Sequence, residues 1–153
     1  MLINQILATL AVLAVGVVYG TDVFHAIVVK KAATLSSDKS IADLIGHTHL
    51  IADKRMPIIG ATGLLSCLIL TAINYNIHIA MYSGLASVSL ILHLVIYLTI
   101  AKPINQTMSK AALNKQMPTN IRQLQQRWDS VIIYRAIALT IAMIALILGL
   151  FEM

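Results

Sequence analysis

The sequence predicts an all-α integral membrane protein, an antiparallel four-helix bundle, and three observations carry that reading. The 153 residues are 59% hydrophobic and 11% charged, more apolar and far less charged than a soluble domain. The apolar residues gather into four runs, Ile6–Val29, Met56–Ile73, Ile79–Ile100 and Val131–Phe151, each near the ~20 residues that a helix needs to cross ~30 Å of hydrocarbon. Lys30, Lys31, Lys39, Lys54 and Arg55 lie between the first two runs, and Lys102, Lys110, Lys115, Arg122 and Arg127 between the last two. In a four-span chain those two connections share one side.

The bias of Lys and Arg toward the cytoplasmic face makes that side the cytoplasm of an inner membrane, with both termini outside. The polar remainder leaves no room for a second domain, so residues 1–153 read as one four-span unit with two helices extended beyond the membrane on the cytoplasmic side. Placement of the cations accounts for the formal net charge of +5 through topology and contact with anionic headgroups, so no nucleic-acid partner is expected. The expected partners are the lipid bilayer and a hydrophobic small molecule, with a homo-oligomer left open. The first run lacks a basic leader and a small-residue cleavage site and is expected to be retained. Cys67 is the single cysteine and reads as a small apolar filler in mid-span.

Helix one is expected to run unbroken from about Ile3 to Leu35, with Ser37 as the cap that starts the next helix. Gly16 and Gly20 form a small-xxx-small pair that would permit close approach of a neighbour. Asp22 and His25, one turn apart near the cytoplasmic end, are more informative. An ionisable residue at that depth costs ~2.5 kcal/mol or more unless it finds a partner or reaches the headgroups. Helix two starts near Asp38 and enters the membrane at Met56. On it His49 and Asp53 share a face that Met56 and Gly60 continue, with His47, Lys54 and Arg55 on the other side. Pro57 removes the hydrogen bond to the Asp53 carbonyl and so frees an acceptor beside that pair.

Asn76 is the expected cap of helix three, and His78 is expected to be solvated at the outer edge. One stripe of that helix carries Tyr82, Ala86, Ser89, His93 and Tyr97. His93 has no long stem with which to reach water, so it should face the interior and hydrogen-bond a neighbour. The polar segment Ile104–Met117 after Lys102-Pro103 is expected to be only partly helical. Asn120 and Gln123 resemble a capping box at the start of helix four. Ile121, Leu124, Trp128, Ile132 and Arg135 then form one core-facing line, while Arg127 and Asp129 read as solvated or headgroup-facing.

Every polar intrusion thus falls toward one end: Asp22 and His25, His49 and Asp53, His93 and Tyr97, Trp128 and Arg135. The expectation is one polar pocket inside the bundle, walled by apolar and aromatic side chains. No nucleotide loop, nucleophile elbow or HExxH pattern is present, which disfavours phosphoryl transfer, serine hydrolysis and zincin chemistry.

Gly20-Thr21-Asp22-Val23-Phe24, His49-x-x-x-Asp53-x-Arg55-Met56-Pro57, Lys102-Pro103-Ile104-Asn105, Arg127-Trp128-Asp129 and Tyr134-Arg135 together resemble the anthrone-oxygenase-like family of small four-span membrane proteins, over essentially the whole chain. The resemblance implies a four-helix membrane fold and, for some members, oxidation of a polyketide anthrone by dioxygen. Two active readings of the pocket and one passive one follow. In the first, an oxygenase or related redox enzyme, His49 or His93 removes a proton from an aromatic substrate and Arg135 holds the oxyanion. Trp128, Tyr97, Asp53 and Asn105 would bind that substrate, with dioxygen chemistry that needs no cofactor. In the second, haem or a metal ion is bound, His25 and His93 flanking the haem or His49 and Asp53 supplying half of a metal site. The third is a membrane scaffold or accessory subunit in which Asp22, Asp53 and Arg135 only clamp the helices.

Overall fold

The structure, a computed structural model, describes residues 2–153. Four helices make up nearly all of it: α1 (Leu2–Leu35), α2 (Asp38–Ile73), α3 (Ile77–Leu113) and α4 (Ile121–Leu150), each long and apolar enough to cross a membrane. Neighbours in sequence pack side by side and α4 closes against α1, which gives an antiparallel bundle with α1 diagonal to α3. Ser37 caps α2 by accepting from the Ser40 N–H at 3.2 Å, and Asn76 caps α3 by accepting from the His78 N–H at 3.0 Å. Asn120, by contrast, makes no side-chain cap; the first turn of α4 is held by the Ile121 N–H donating to the Pro118 carbonyl.

Small residues set the close approaches, but not the pair expected. A Cβ added at Gly16 or Gly20 would meet nothing within 4 Å, so neither glycine faces another helix. At Gly63 it would stand 2.8 Å from Val15, and at Gly46 2.8 Å from both the Ala112 Cβ and the Met108 carbonyl oxygen. These are the points where α2 touches α1 and α3 almost backbone to backbone.

Helix α3 also runs further than the sequence indicates, passing through Lys102-Pro103 to Leu113. A proline in mid-helix lacks an N–H and clashes with the carbonyl four residues back, here that of Thr99. The turn Tyr97–Ala101 is π-helical, and its wider spiral takes up the ring without ending the helix. Two further π turns, His25–Val29 in α1 and Ile41–Ile45 in α2, lie at the same end of the bundle.

The core has two parts. Toward the α2–α3 turn, Ala11, Val15, Cys67, Ala86, Leu139 and Ala142 form one apolar cluster; toward the opposite connections, Ile41, Ile45, Ala101, Met108, Ile121 and Ile132 form another. Asp22, His49, Asp53, His93 and Arg135 lie between them.

Candidate functional site

Between the two clusters is a cavity of about 220 Å³. Asp22, His25, His49, Asp53, His93, Tyr97, Trp128 and Arg135 all line it, and so do Asn105, Met56 and Gly60. Every candidate residue therefore meets at one place. Helix periodicity explains it, since His49, Asp53, Met56 and Gly60 recur at spacings of three and four on α2, as do His93 and Tyr97 on α3.

The polar groups form two separate nodes. In the first, Arg135 donates from Nη2 to Asp22 Oδ1 at 3.0 Å, and His93 Nε2 lies 3.1 Å from Asp22 Oδ2. Two acceptors cannot face each other, so the proton is assigned to His93 Nε2, which leaves the lone pair on Nδ1. The 3.4 Å approach of Arg135 Nε to the same nitrogen then sets one N–H against another and is a contact rather than a bond. Asp22 is 4% exposed and Arg135 7%, so this ion pair joins α1 to α4 out of reach of water. The guanidinium also lies 5.8 Å from the Tyr97 ring centroid and 5.7 Å from that of Trp128, within cation–π range.

In the second node, Asp53 Oδ1 accepts from the Tyr97 hydroxyl at 3.0 Å and from Asn105 Nδ2 at 2.8 Å. Asp53 takes no part in the Asp22–Arg135 pair, so a single charge network of Asp22, Asp53 and Arg135 is not what forms. The aromatic wall completes the site: Trp128 stands 5.2 Å from the His25 ring and 5.4 Å from the His49 ring. His25 turns inward against that indole instead of reaching for the surface.

Four buried side-chain polar atoms have no hydrogen-bond partner among the described residues; three of them, His49 Nε2, Asn105 Oδ1 and Trp128 Nε1, belong to side chains that line this cavity, and the fourth is Gln125 Oε1. Orphaned buried groups of this kind cost ~1–3 kcal/mol each, and three of the four belong to side chains around one hollow. One is a donor, one an acceptor, and the imidazole nitrogen serves as either.

Asp129 departs from expectation. It is buried, accepting from Gln125 Nε2 at 2.9 Å, because α4 leans on the π turn of α1 at that level and covers the face that Gln125 and Asp129 share. Arg127 is exposed, as expected. The sequence reading missed the cavity rim, Thr21, Thr48, Ala61 and Leu94, since short or aliphatic side chains are too common in spans to stand out.

A haem does not fit these residues. His93 Nε2 is committed to Asp22, His25 packs on Trp128, and a hollow of about 220 Å³ compares with the ~150 Å³ that encloses one benzene, far short of a porphyrin. Among the described residues no three His, Cys, Asp or Glu side chains gather as metal ligands, so His49 and Asp53 lack a third.

Fold and site together define the class: an integral membrane four-helix bundle with a largely apolar, aromatic-walled cavity between its spans, set with a few polar side chains. Comparison of the chain with family models, curated proteins and solved structures gives no match.

Proposed function

We propose that the protein is a membrane oxidoreductase of the anthrone-oxygenase type, which binds a small hydroxyaromatic molecule in the cavity and promotes its oxidation by dioxygen. The observation that carries this reading is that three unpartnered polar atoms belong to side chains lining one apolar hollow. A phenolic hydroxyl donates to His49 Nε2 and accepts from the Trp128 N–H, with a second polar group of the ring meeting Asn105 Oδ1. Loss of the phenolic proton to His49 makes the ring electron-rich, and the Trp128 N–H holds the oxyanion. Dioxygen then takes the electrons: an activated ring CH2 becomes C=O with release of water, or a hydroquinone becomes a quinone with release of hydrogen peroxide.

Arg135 does not hold the oxyanion directly in this scheme. Its charge is already matched by Asp22 at 3.0 Å, so its part is to fix Asp22, and through it His93. The cavity belongs to the cytoplasmic half of an inner membrane, with both termini outside, because every Lys and Arg except Arg135 lies toward that end.

The test is oxygen uptake by purified protein in micelles with a dihydroxyanthrone and with decylhydroquinone. Wild type should exceed His49→Gln by about 10²-fold, the usual contribution of a general base. Equal uptake by the two would reject the reading. One observation favours a scaffold instead, the clamp of Asp22, His93 and Arg135 across α1, α3 and α4; it leaves the orphaned His49 without a purpose.

A further inference from the structure

The rim of the cavity is unequal on its two sides. At ~100° per residue, His49, Asp53, Met56 and Gly60 face inward on α2, while Thr48 lies on one flank and Pro57 and Ala61 on the other. Gly63, on the Thr48 flank, packs on Val15 of α1; Gly46, on the Pro57 flank, packs on Met108 and Ala112 of α3. The Pro57 flank therefore borders the α2–α3 seam. There Pro57, Ala61 and, from α3, Leu94 line the cavity and are exposed, all apolar and all within the hydrophobic runs. From Leu50 through Thr62 no side chain of α2 is buried, and a Cβ at Gly60 would meet nothing within 4 Å. Thr21 and Thr48, on the α1 side, line the cavity and are exposed too but are polar, so the apolar opening toward lipid is the one past Pro57, Ala61 and Leu94.

The geometry points to a ligand in two parts: a single hydroxyaromatic ring held in the cavity, and an aliphatic tail that leaves between α2 and α3 past Pro57, Ala61 and Leu94 into the bilayer. Size decides the ring. About 220 Å³ is roughly half as much again as the ~150 Å³ that encloses benzene, ample for one substituted ring and tight for three fused ones. The portal decides the tail, since an apolar, lipid-facing opening lets a chain stay in hydrocarbon while its head meets His49, Asn105 and Trp128. This rests on the hydroxyaromatic reading above and narrows it to a tailed, one-ring substrate in place of an anthrone.

Trp128 is the only tryptophan, so its fluorescence reports on the site directly. Hydroquinone, decylhydroquinone and a dihydroxyanthrone are titrated into the full chain in micelles, with absorbance corrected and saturable quenching taken as binding. Hydroquinone and decylhydroquinone should reach the same plateau, and the dihydroxyanthrone should bind more weakly than either. Ala61→Phe, at an exposed position where the fold is not at risk, should weaken decylhydroquinone about tenfold more than hydroquinone by crowding the portal. Saturable binding of hydroquinone without decylhydroquinone would overturn the tail and keep the function, as would an equal effect of Ala61→Phe on both. Binding of neither would overturn both.

Discussion

Separating Asp22 from Arg135 should be among the most damaging changes available in this chain, and the two ends should not be equivalent. Both are more than nine-tenths buried and 3.0 Å apart, so solvent screens little of the pair, and removing one partner of such a pair costs ~3–5 kcal/mol. Asp22→Leu leaves the guanidinium with the Tyr97 and Trp128 ring faces, worth ~0.5–2 kcal/mol, and a long 3.4 Å approach to His93 Nε2, and should fall at the upper end. Arg135→Met leaves Asp22 still hydrogen-bonded to His93 Nε2 at 3.1 Å, and should fall at the lower end. The double variant replaces the pair by apolar groups and should cost less than Asp22→Leu alone. A double-mutant cycle by denaturant unfolding in micelles measures all three. Single effects below ~1 kcal/mol, or additive ones, would refute the account of this node.

Other substitutions test the surrounding structure. His49→Leu removes an orphaned buried nitrogen and should stabilise the ligand-free protein by ~1 kcal/mol while abolishing oxygen uptake, read by unfolding and by an oxygen electrode. Gly46→Ala should destabilise by ~1–3 kcal/mol, because its Cβ would stand 2.8 Å from the Met108 carbonyl. Gly16→Ala, facing open space, should gain ~0.5–1 kcal/mol from helix propensity, so thermal unfolding of the two should move in opposite directions. Arg122 donates to Asp38 and to the Ala33 and Ser36 carbonyls that end α1. Arg122→Ala should speed proteolytic cleavage at residues 35–38 several-fold without altering binding at the cavity.

Composition and periodicity made much of this legible from the residues alone. Four apolar runs account for four helices, and the spacing of His49 to Gly60 and of His93 to Tyr97 puts those side chains on inward faces. That Asp22, His93 and Arg135 gather at one end of the bundle also follows, since each needs a partner there or the headgroups to satisfy its polarity. Partner choice did not follow. Asp53 takes Tyr97 and Asn105 rather than Arg135, and the π turn at Tyr97–Ala101, which sets how Tyr97 and Asn105 are presented, leaves no mark in the hydropathy. Nor does the burial of Asp129. Gly16 and Gly20 carry a spacing that Gly46 and Gly63 lack, yet the latter make the contacts, because helix rotation decides which glycine faces a neighbour.

The claim on which the rest depends is that polar atoms are held open in the cavity for a ligand. With one tryptophan in the chain, the ¹⁵N-labelled protein gives a single indole N–H resonance, that of Trp128. Adding decylhydroquinone should move that resonance saturably downfield as the N–H gains an acceptor, and His49→Leu should weaken the response. A resonance that stays where it was, with the micelles saturated in ligand, would contradict the account.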